Sequence, residues 1–191
     1  MDNPTKILDY LYLGSFLDVN NGFPQSIGTK LILNFAEECE YESEIEQKHW
    51  KFYDNYNQNL VGHFDHVVEI IKAHVDNDQT VFIHCFAGKS RSVSFVLAYL
   101  MKTKKLNLQE AYDFVSNKRD IYPNVNFVKQ LVEYEIQLYG ESTFDYDKYV
   151  VDNIYSTFSS SIFDVDKEII HQTYLKCNKD LDMTIDLLLK K

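Results

Sequence analysis

Apolar positions along the chain switch between two repeats. Val81-Phe82-Ile83 is a continuous apolar run, which predicts a strand buried on both faces. Directly after it Val93, Val96, Leu97, Leu100 and Met101 recur at helical spacing. Between the two lies His84-Cys85-Phe86-Ala87-Gly88-Lys89-Ser90-Arg91-Ser92, so the pattern predicts strand, tight loop and helix. Upstream, Lys6–Ser15 (KILDYLYLGS) is a run of strand-forming residues, and Lys30–Phe35 (KLILNF) predicts a second buried strand. Asn20-Asn21-Gly22 and Pro24 punctuate the stretch between them. Glu37–Glu46 is acidic and reads as a solvated turn with a short helix. Trp50–Asn55 (WKFYDN) predicts a short strand running into the polar loop NYNQN. His63–Val75 predicts a helix with Phe64, Val67, Val68 and Ile71 on its core face.

Later in the chain, Leu108, Ala111, Tyr112 and Val115 mark a helix over 107–118. Arg119–Asn124 breaks the pattern, and Asn124 caps a helix carrying Phe127, Leu131, Tyr134 and Leu138. Gly140–Asp147 reads as a polar linker. Three helical patterns follow: Val151, Ile154, Tyr155 and Phe158; then Ile169, Ile170, Thr173, Tyr174 and Cys177, with Asp166 as N-cap; then Leu181, Ile185, Leu188 and Leu189.

Composition narrows the class. A chain of 191 residues, 45% apolar, holds one domain of ordinary size plus a small one. A net charge of −10 argues against broad nucleic-acid binding and against adhesion to anionic membranes. It leaves room for a local phosphate site. The three cysteines, Cys39, Cys85 and Cys177, form no CxxC pair, which fits a reducing compartment better than a disulfide framework or zinc site. The polar start Met1-Asp2-Asn3-Pro4 and the lack of a spanning apolar run carry the expectation of a cytoplasmic or nuclear protein without a signal peptide or membrane insertion.

The loop itself suggests phosphate chemistry. Backbone amides of a short loop feeding a helix N-terminus, here Phe86, Ala87, Gly88, Lys89, Ser90 and Arg91, cradle an anion. Gly88 admits backbone angles closed to other residues. Arg91 can grip two phosphate oxygens through a planar fork. Positive surroundings favour the thiolate of Cys85, the form that acts as nucleophile. Ser92 can donate a hydrogen bond to that sulfur and ease its departure. A departing alkoxide or phenoxide also requires a proton donor. His63 and His66 lack a third ligand partner and read as surface histidines; no metal or organic cofactor is expected.

The spacing Cys-x5-Arg, in the form HC-x-AG-x-SRS, resembles the signature of the cysteine-dependent protein phosphatases, and of their dual-specificity branch in particular. KILDYLYLGS, LILN and IYPN-x-x-F-x-x-QL are similar to other parts of that family, so the likeness covers about residues 4–140. The resemblance implies an α/β cysteine-phosphatase fold, with a central mixed, mostly parallel sheet flanked by helices. It implies Cys85 as nucleophile, Arg91 as phosphate clamp and Ser92 as support of the sulfur. It makes Asp54, some thirty residues before Cys85, the general acid; the competing Asp65 lies on the predicted 63–75 helix. It also makes Asn34 and His84 supports of the phosphate loop. Family members usually carry proline where this chain has Asp120, a departure expected to alter loop rigidity.

The tail from Phe163 to Leu189, through FDVDKEII and CNKDLDMTIDLLL, resembles a CUE or related ubiquitin-associated three-helix domain. Its Met-Phe-Pro motif is not intact, since Phe158 and Phe163 both lack the proline. The implied organisation is a catalytic domain at 1–140, a linker at 141–147 and a small all-α bundle at 148–191 that is a candidate ubiquitin binder. The expected activity is dephosphorylation of phosphotyrosine, phosphoserine and phosphothreonine in proteins. Alternatives are a phosphoinositide phosphatase, which Lys89 favours and the Arg91-Ser92 loop ending and acidic charge disfavour, an RNA 5′-phosphatase, disfavoured on the same grounds, and a phosphoprotein- or ubiquitin-binding module on an inactive fold.

Overall fold

A computed structural model describes residues 4–159 and 165–190, which fall into two compact units, Met1–Phe144 and Asp145–Lys191. The first is built on five strands: β1 (Thr5–Leu8), β2 (Leu11–Ser15), β3 (Leu31–Asn34), β4 (Glu46–His49) and β5 (Val81–Cys85). They lie in the order β1-β2-β5-β3-β4, with β1 antiparallel to β2 and every other pair parallel. The apolar run Val81-Phe82-Ile83 therefore sits at the sheet centre and is fully buried, as a strand covered on both faces requires.

Successive residues of a strand face opposite sides of the sheet. Leu31, Leu33, Val81 and Ile83 join the large core built with helices α3 (Val61–Val75), α4 (Arg91–Lys104), α5 (Leu108–Ser116) and α6 (Val125–Tyr139). Ile32 and Phe82 point the other way, into a smaller cluster with Val19 and Phe23 of the short helices α1 (Phe16–Asn20) and α2 (Phe23–Ser26). Helix α4 is buried almost all round from Arg91 to Met101, which places it inside the domain rather than on it. In register, Gly14 and Asn34 flank His84, and Ser15 pairs with Cys85. Three parallel strands thus end at one level, and the loop His84–Ser92 emerges there.

Three sequence expectations need correcting. Lys6–Ser15 is not one strand. It folds back at Asp9-Tyr10, with Tyr10 in the left-handed region (φ 61°), to give the β1–β2 hairpin. Glu37–Glu46 contains no helix; its last residue opens β4, which pairs with β3. Trp50–Asn55 is not a strand, because its backbone is engaged only at isolated points, such as Trp50 N–H to the Asn34 carbonyl at 2.8 Å. Its rings instead pack on Phe35, Trp50 at 5.2 Å and Phe52 at 6.3 Å between centroids.

The second unit consists of α7 (Tyr146–Ser159), α8 (Lys167–Lys176) and α9 (Leu181–Leu189). Val150, Val151, Ile154 and Phe158 of α7, Ile170, Thr173 and Tyr174 of α8, and Thr184 and Leu188 of α9 are buried. Asp166 caps α8 and Asp180 caps α9 through side-chain acceptors. Asn178 and Lys179, both at positive φ, make the turn between them. Phe163 lies outside the described residues.

Candidate active site

The loop after β5 is defined by where its carbonyls go. The Cys85 carbonyl faces His84 Nδ1 at 3.1 Å, and the Phe86 carbonyl accepts from Phe16 N–H at 2.9 Å. The Ala87 and Gly88 carbonyls accept from Arg119, Nη2 at 3.1 Å and Nε at 2.8 Å. The Lys89 carbonyl accepts from Tyr122 N–H at 2.8 Å, and that of Ser90 from Ser94 N–H at 3.0 Å. In a trans peptide the N–H points opposite to the C=O. With every carbonyl from 85 to 90 held on the outside, the amides of 86 to 91 turn toward the inside of the loop. They form a nest of N–H groups at the N-terminus of α4, which is an anion site.

Gly88 is the tight point. Its φ is +68°, and a Cβ there would lie 2.2 Å from the Gly14 carbonyl oxygen. Gly14 is equally confined, since a Cβ on it would lie 2.5 Å from the Phe82 ring. The loop rests directly on the backbone of β2.

Cys85 is 1% exposed, at the floor of this nest. Ser92 Oγ donates to its Sγ at 3.2 Å. Arg91 is also buried, and three of its five N–H donors are hydrogen-bonded. Nη1 and Nη2 donate to Glu38 at 2.7 and 2.5 Å, and Nη1 also donates to the Phe52 carbonyl at 2.9 Å. Nε–H has no hydrogen-bond partner although it is buried. Nε and the outer Nη2 hydrogen make up the side-on fork of the guanidinium, which suits a two-oxygen ligand. Asp54 Oδ2 stands 3.5 Å from Nε, beside this fork.

Asp54 Oδ1 accepts from Ser90 Oγ at 2.9 Å and from Asn124 Nδ2 at 2.7 Å. Asp65, its competitor, accepts from Tyr134 Oη at 2.7 Å and Lys102 Nζ at 2.9 Å. Lys102 lies eleven positions along α4 from Arg91, about 16 Å of helix. Asp54 is therefore the carboxylate beside the loop.

His84 is fully buried. Its Nδ1 faces a carbonyl and so carries the proton, which leaves Nε2 to accept from Tyr41 Oη at 2.7 Å. Burial pushes its pKa down to about 4, so the ring is neutral near pH 7. Asn34 departs from expectation. Its Nδ2 donates to the Cys39 carbonyl at 2.6 Å and its Oδ1 accepts from Ala36 N–H at 3.0 Å, so it closes the 34–39 turn rather than the phosphate loop. Glu38 sits on that turn, and Asn34 acts on the loop one step removed, through Glu38 and Arg91. Lys89 is ion-paired to Asp120.

Sequence reading missed Glu38, Arg119, Tyr41 and the link from Asn124 to Asp54. Arg119 left one usable signal, a cation shortly before a Tyr-Pro in a breaker, but no pattern there announces burial. No group of three or more His, Cys, Asp or Glu side chains placed to hold a metal occurs among the described residues, and no described helix is long and apolar enough to cross a membrane. A groove of about 560 Å³ opens beside the loop, lined by Phe16, Leu17, Phe86, Ala87, Lys89 and Arg119.

A loop of inward-turned amides over a buried cysteine and a buried arginine, on a mostly parallel sheet, is the arrangement expected of a cysteine phosphatase. Residues 11–137 match the family described as "Dual specificity phosphatase, catalytic domain", and the chain belongs to that family. It is 34% identical over 139 residues to dual specificity protein phosphatase 1 of Mus musculus, a match covering 71% of this chain and 38% of that protein. The chain thus spans well under half the length of that relative. The crystal structure of human tyrosine phosphatase-like serine/threonine/tyrosine-interacting protein superposes with a TM-score of 0.64 at 28% identity, covering 70% of this chain and 96% of the other. The crystal structure of human DUSP28 gives 0.66 at 24% identity, covering 71% and 94%, and speaks to fold alone.

Proposed function

We propose that the chain hydrolyses phosphate monoesters of tyrosine, serine and threonine in proteins, through a cysteinyl-phosphate intermediate. The observation that carries this reading is the loop with all six carbonyls held outward over a buried cysteine. The substrate phosphate lies on the amides of 86 to 91 with two oxygens on the side-on fork of Arg91. The Cys85 thiolate forms a bond to phosphorus as the bond to the substrate oxygen breaks, and Asp54 gives its proton to that oxygen. In the second half, water attacks phosphorus and passes its proton to Asp54. The phosphorus–sulfur bond breaks, inorganic phosphate leaves, and the Ser92 hydroxyl stabilises the returning thiolate. The groove beside the loop offers Phe16, Leu17 and Phe86 to residues that neighbour the phosphorylated one. The pairing of Lys89 with Asp120 reduces the attraction for polyanionic lipid headgroups.

Phosphate release from phosphotyrosyl and phosphothreonyl peptides and from phosphoinositide vesicles tests this. Release from both peptides is expected, lost in Cys85→Ser and reduced by roughly 10²–10⁴ in Asp54→Asn. Peptide turnover by Cys85→Ser near the wild-type rate sinks the reading, and release from lipid alone replaces it with the phosphoinositide one.

The same reading takes the helical unit as a CUE- or UBA-like module at 148–191 that binds ubiquitin. In support, Ile169, Leu175, Met183 and Leu189 are exposed apolar side chains on a bundle with its own buried core. Titration of the full chain with ubiquitin by NMR should shift ubiquitin resonances, and a Met183→Glu variant should lose the effect. Absence of shifts at millimolar ubiquitin rejects the binding role.

A further inference from the structure

Asn124 uses its side chain in two directions. Oδ1 accepts from Phe127 N–H at 3.0 Å and so caps α6. Nδ2 donates to Asp54 Oδ1 at 2.7 Å. The Asn124 backbone N–H donates to Ser90 Oγ at 3.1 Å, and that hydroxyl in turn donates to Asp54 Oδ1 at 2.9 Å. Asp54, Ser90 and Asn124 close a ring of hydrogen bonds between three distant segments. The amide orientation follows from its partners, since a carboxylate must face the NH2 group and a backbone N–H must face the oxygen.

The rest of the Asp54 loop is docked on the same helix. Asn126 Nδ2 and Gln130 Nε2 donate to the Gln58 carbonyl at 3.0 and 2.8 Å. Gln130 Oε1 accepts from Leu60 N–H at 2.6 Å and Val61 N–H at 2.9 Å, the start of α3.

We propose that Asn124 is a positioning residue for the general acid, choosing which oxygen of Asp54 carries the proton. Both donors in the ring end on Oδ1. A carboxylic acid whose Oδ1 accepts two hydrogen bonds holds its proton on Oδ2, and Oδ2 is the oxygen beside Arg91 Nε. Without the Asn124 donor, the carboxyl is free to turn about its two-fold χ2 and to present the wrong oxygen to the leaving group. This inference rests on the reading of Asp54 as general acid.

A series of aryl phosphates with leaving phenols of rising basicity separates positioning from support of the fold. Proton donation matters for a basic leaving group and hardly at all for dinitrophenolate. Asn124→Asp and Asn124→Ser both keep an oxygen able to cap α6 and remove the amide Nδ2–H donor to Asp54. For both, kcat/KM is expected to fall about 10- to 100-fold on the most basic phenols, the scale of a misplaced catalytic group. On dinitrophenyl phosphate it should stay within about threefold, and inhibition by inorganic phosphate within about twofold, because the amide nest is untouched. An equal loss along the whole series, or no loss at all, overturns the proposal. Asp54→Asn is run in parallel. A loss that grows with phenol basicity in Asp54→Asn but not in the Asn124 variants removes the positioning role alone. A flat profile in Asp54→Asn removes the assignment of Asp54 itself, and the proposal with it.

Discussion

Glu38 holds the end-on edge of Arg91 with two hydrogen bonds, 2.7 and 2.5 Å, and leaves Nε on the side-on edge without one, 3.5 Å from Asp54 Oδ2. The pair fixes the guanidinium plane before any phosphate arrives, and the Arg91 charge holds the Glu38 carboxyl below the usual carboxylate range. Glu38→Gln keeps the shape and removes the charge. It should lower stability in phosphate-free buffer by about 2 kcal/mol, the scale of a hydrogen bond to a charged group. It should also tighten binding of inorganic phosphate, because Arg91 no longer shares its charge. Thermal melting with and without phosphate reads both effects, and an unchanged phosphate shift would count against the arrangement.

His84 makes stability depend on pH. Its folded pKa, about 4, lies below the unfolded value near 6.5, with burial as the main cause. Above pH 6.5 the ring is neutral in both states and contributes nothing to the dependence. As pH falls from 6.5 to 4 the unfolded chain takes up a proton that the folded one refuses, so stability drops, by about 3 kcal/mol in all. Denaturant unfolding of wild type and His84→Asn at several pH values should show the difference moving in favour of the variant across that window. A constant difference would refute it.

Arg119 is a cation that holds carbonyls, and its removal should be felt at the phosphate. Arg119→Ala frees the Ala87 and Gly88 carbonyls, and the amides that follow them lose their fixed direction. An increase of about tenfold or more in KM and in the inhibition constant of inorganic phosphate is expected, since each charge-assisted hydrogen bond is worth about 1.5–3 kcal/mol. Arg119→Lys, with one point charge in place of a fork, should recover only part. Unaltered phosphate inhibition in Arg119→Ala would show that the loop keeps its shape unaided.

Gly88→Ala should be among the most damaging small substitutions in the first unit. Left-handed backbone costs about 1–2 kcal/mol for a residue with a Cβ, and the collision with the Gly14 carbonyl adds to it. Loss of melting temperature together with loss of turnover is expected; a variant that melts and turns over as wild type would show that the loop can move off β2.

The loop, its strand and its helix were legible because the residues are contiguous. Periodicity switches from continuous to helical across nine positions, and Cys85 and Arg91 both lie inside them. Periodicity places Asp65 on the 63–75 helix and leaves Asp54 at the loop before it, but only family likeness gives Asp54 its role. What stayed hidden was long-range. Glu38 reads as one more charge in an acidic stretch, Arg119 as the first residue of a breaker, and Asn124 as a cap and nothing else. The fold misreadings have the same root. Glu46–His49 is polar and still forms an edge strand, because parallel pairing with β3 uses backbone alone. Trp50–Asn55 looks like a strand because its rings are needed for stacking on Phe35.

The outward-held carbonyls of 85 to 90 bear on the thermodynamics of ligand capture. A loop free to rearrange would have to lose conformational entropy each time an anion settled on it. Here that ordering is completed when the chain folds, by donors that belong to β5, α1, the 117–124 segment and α4. Oxyanion binding should therefore resemble the docking of a rigid body, with little conformational penalty in the measured entropy and no slow rearrangement ahead of capture.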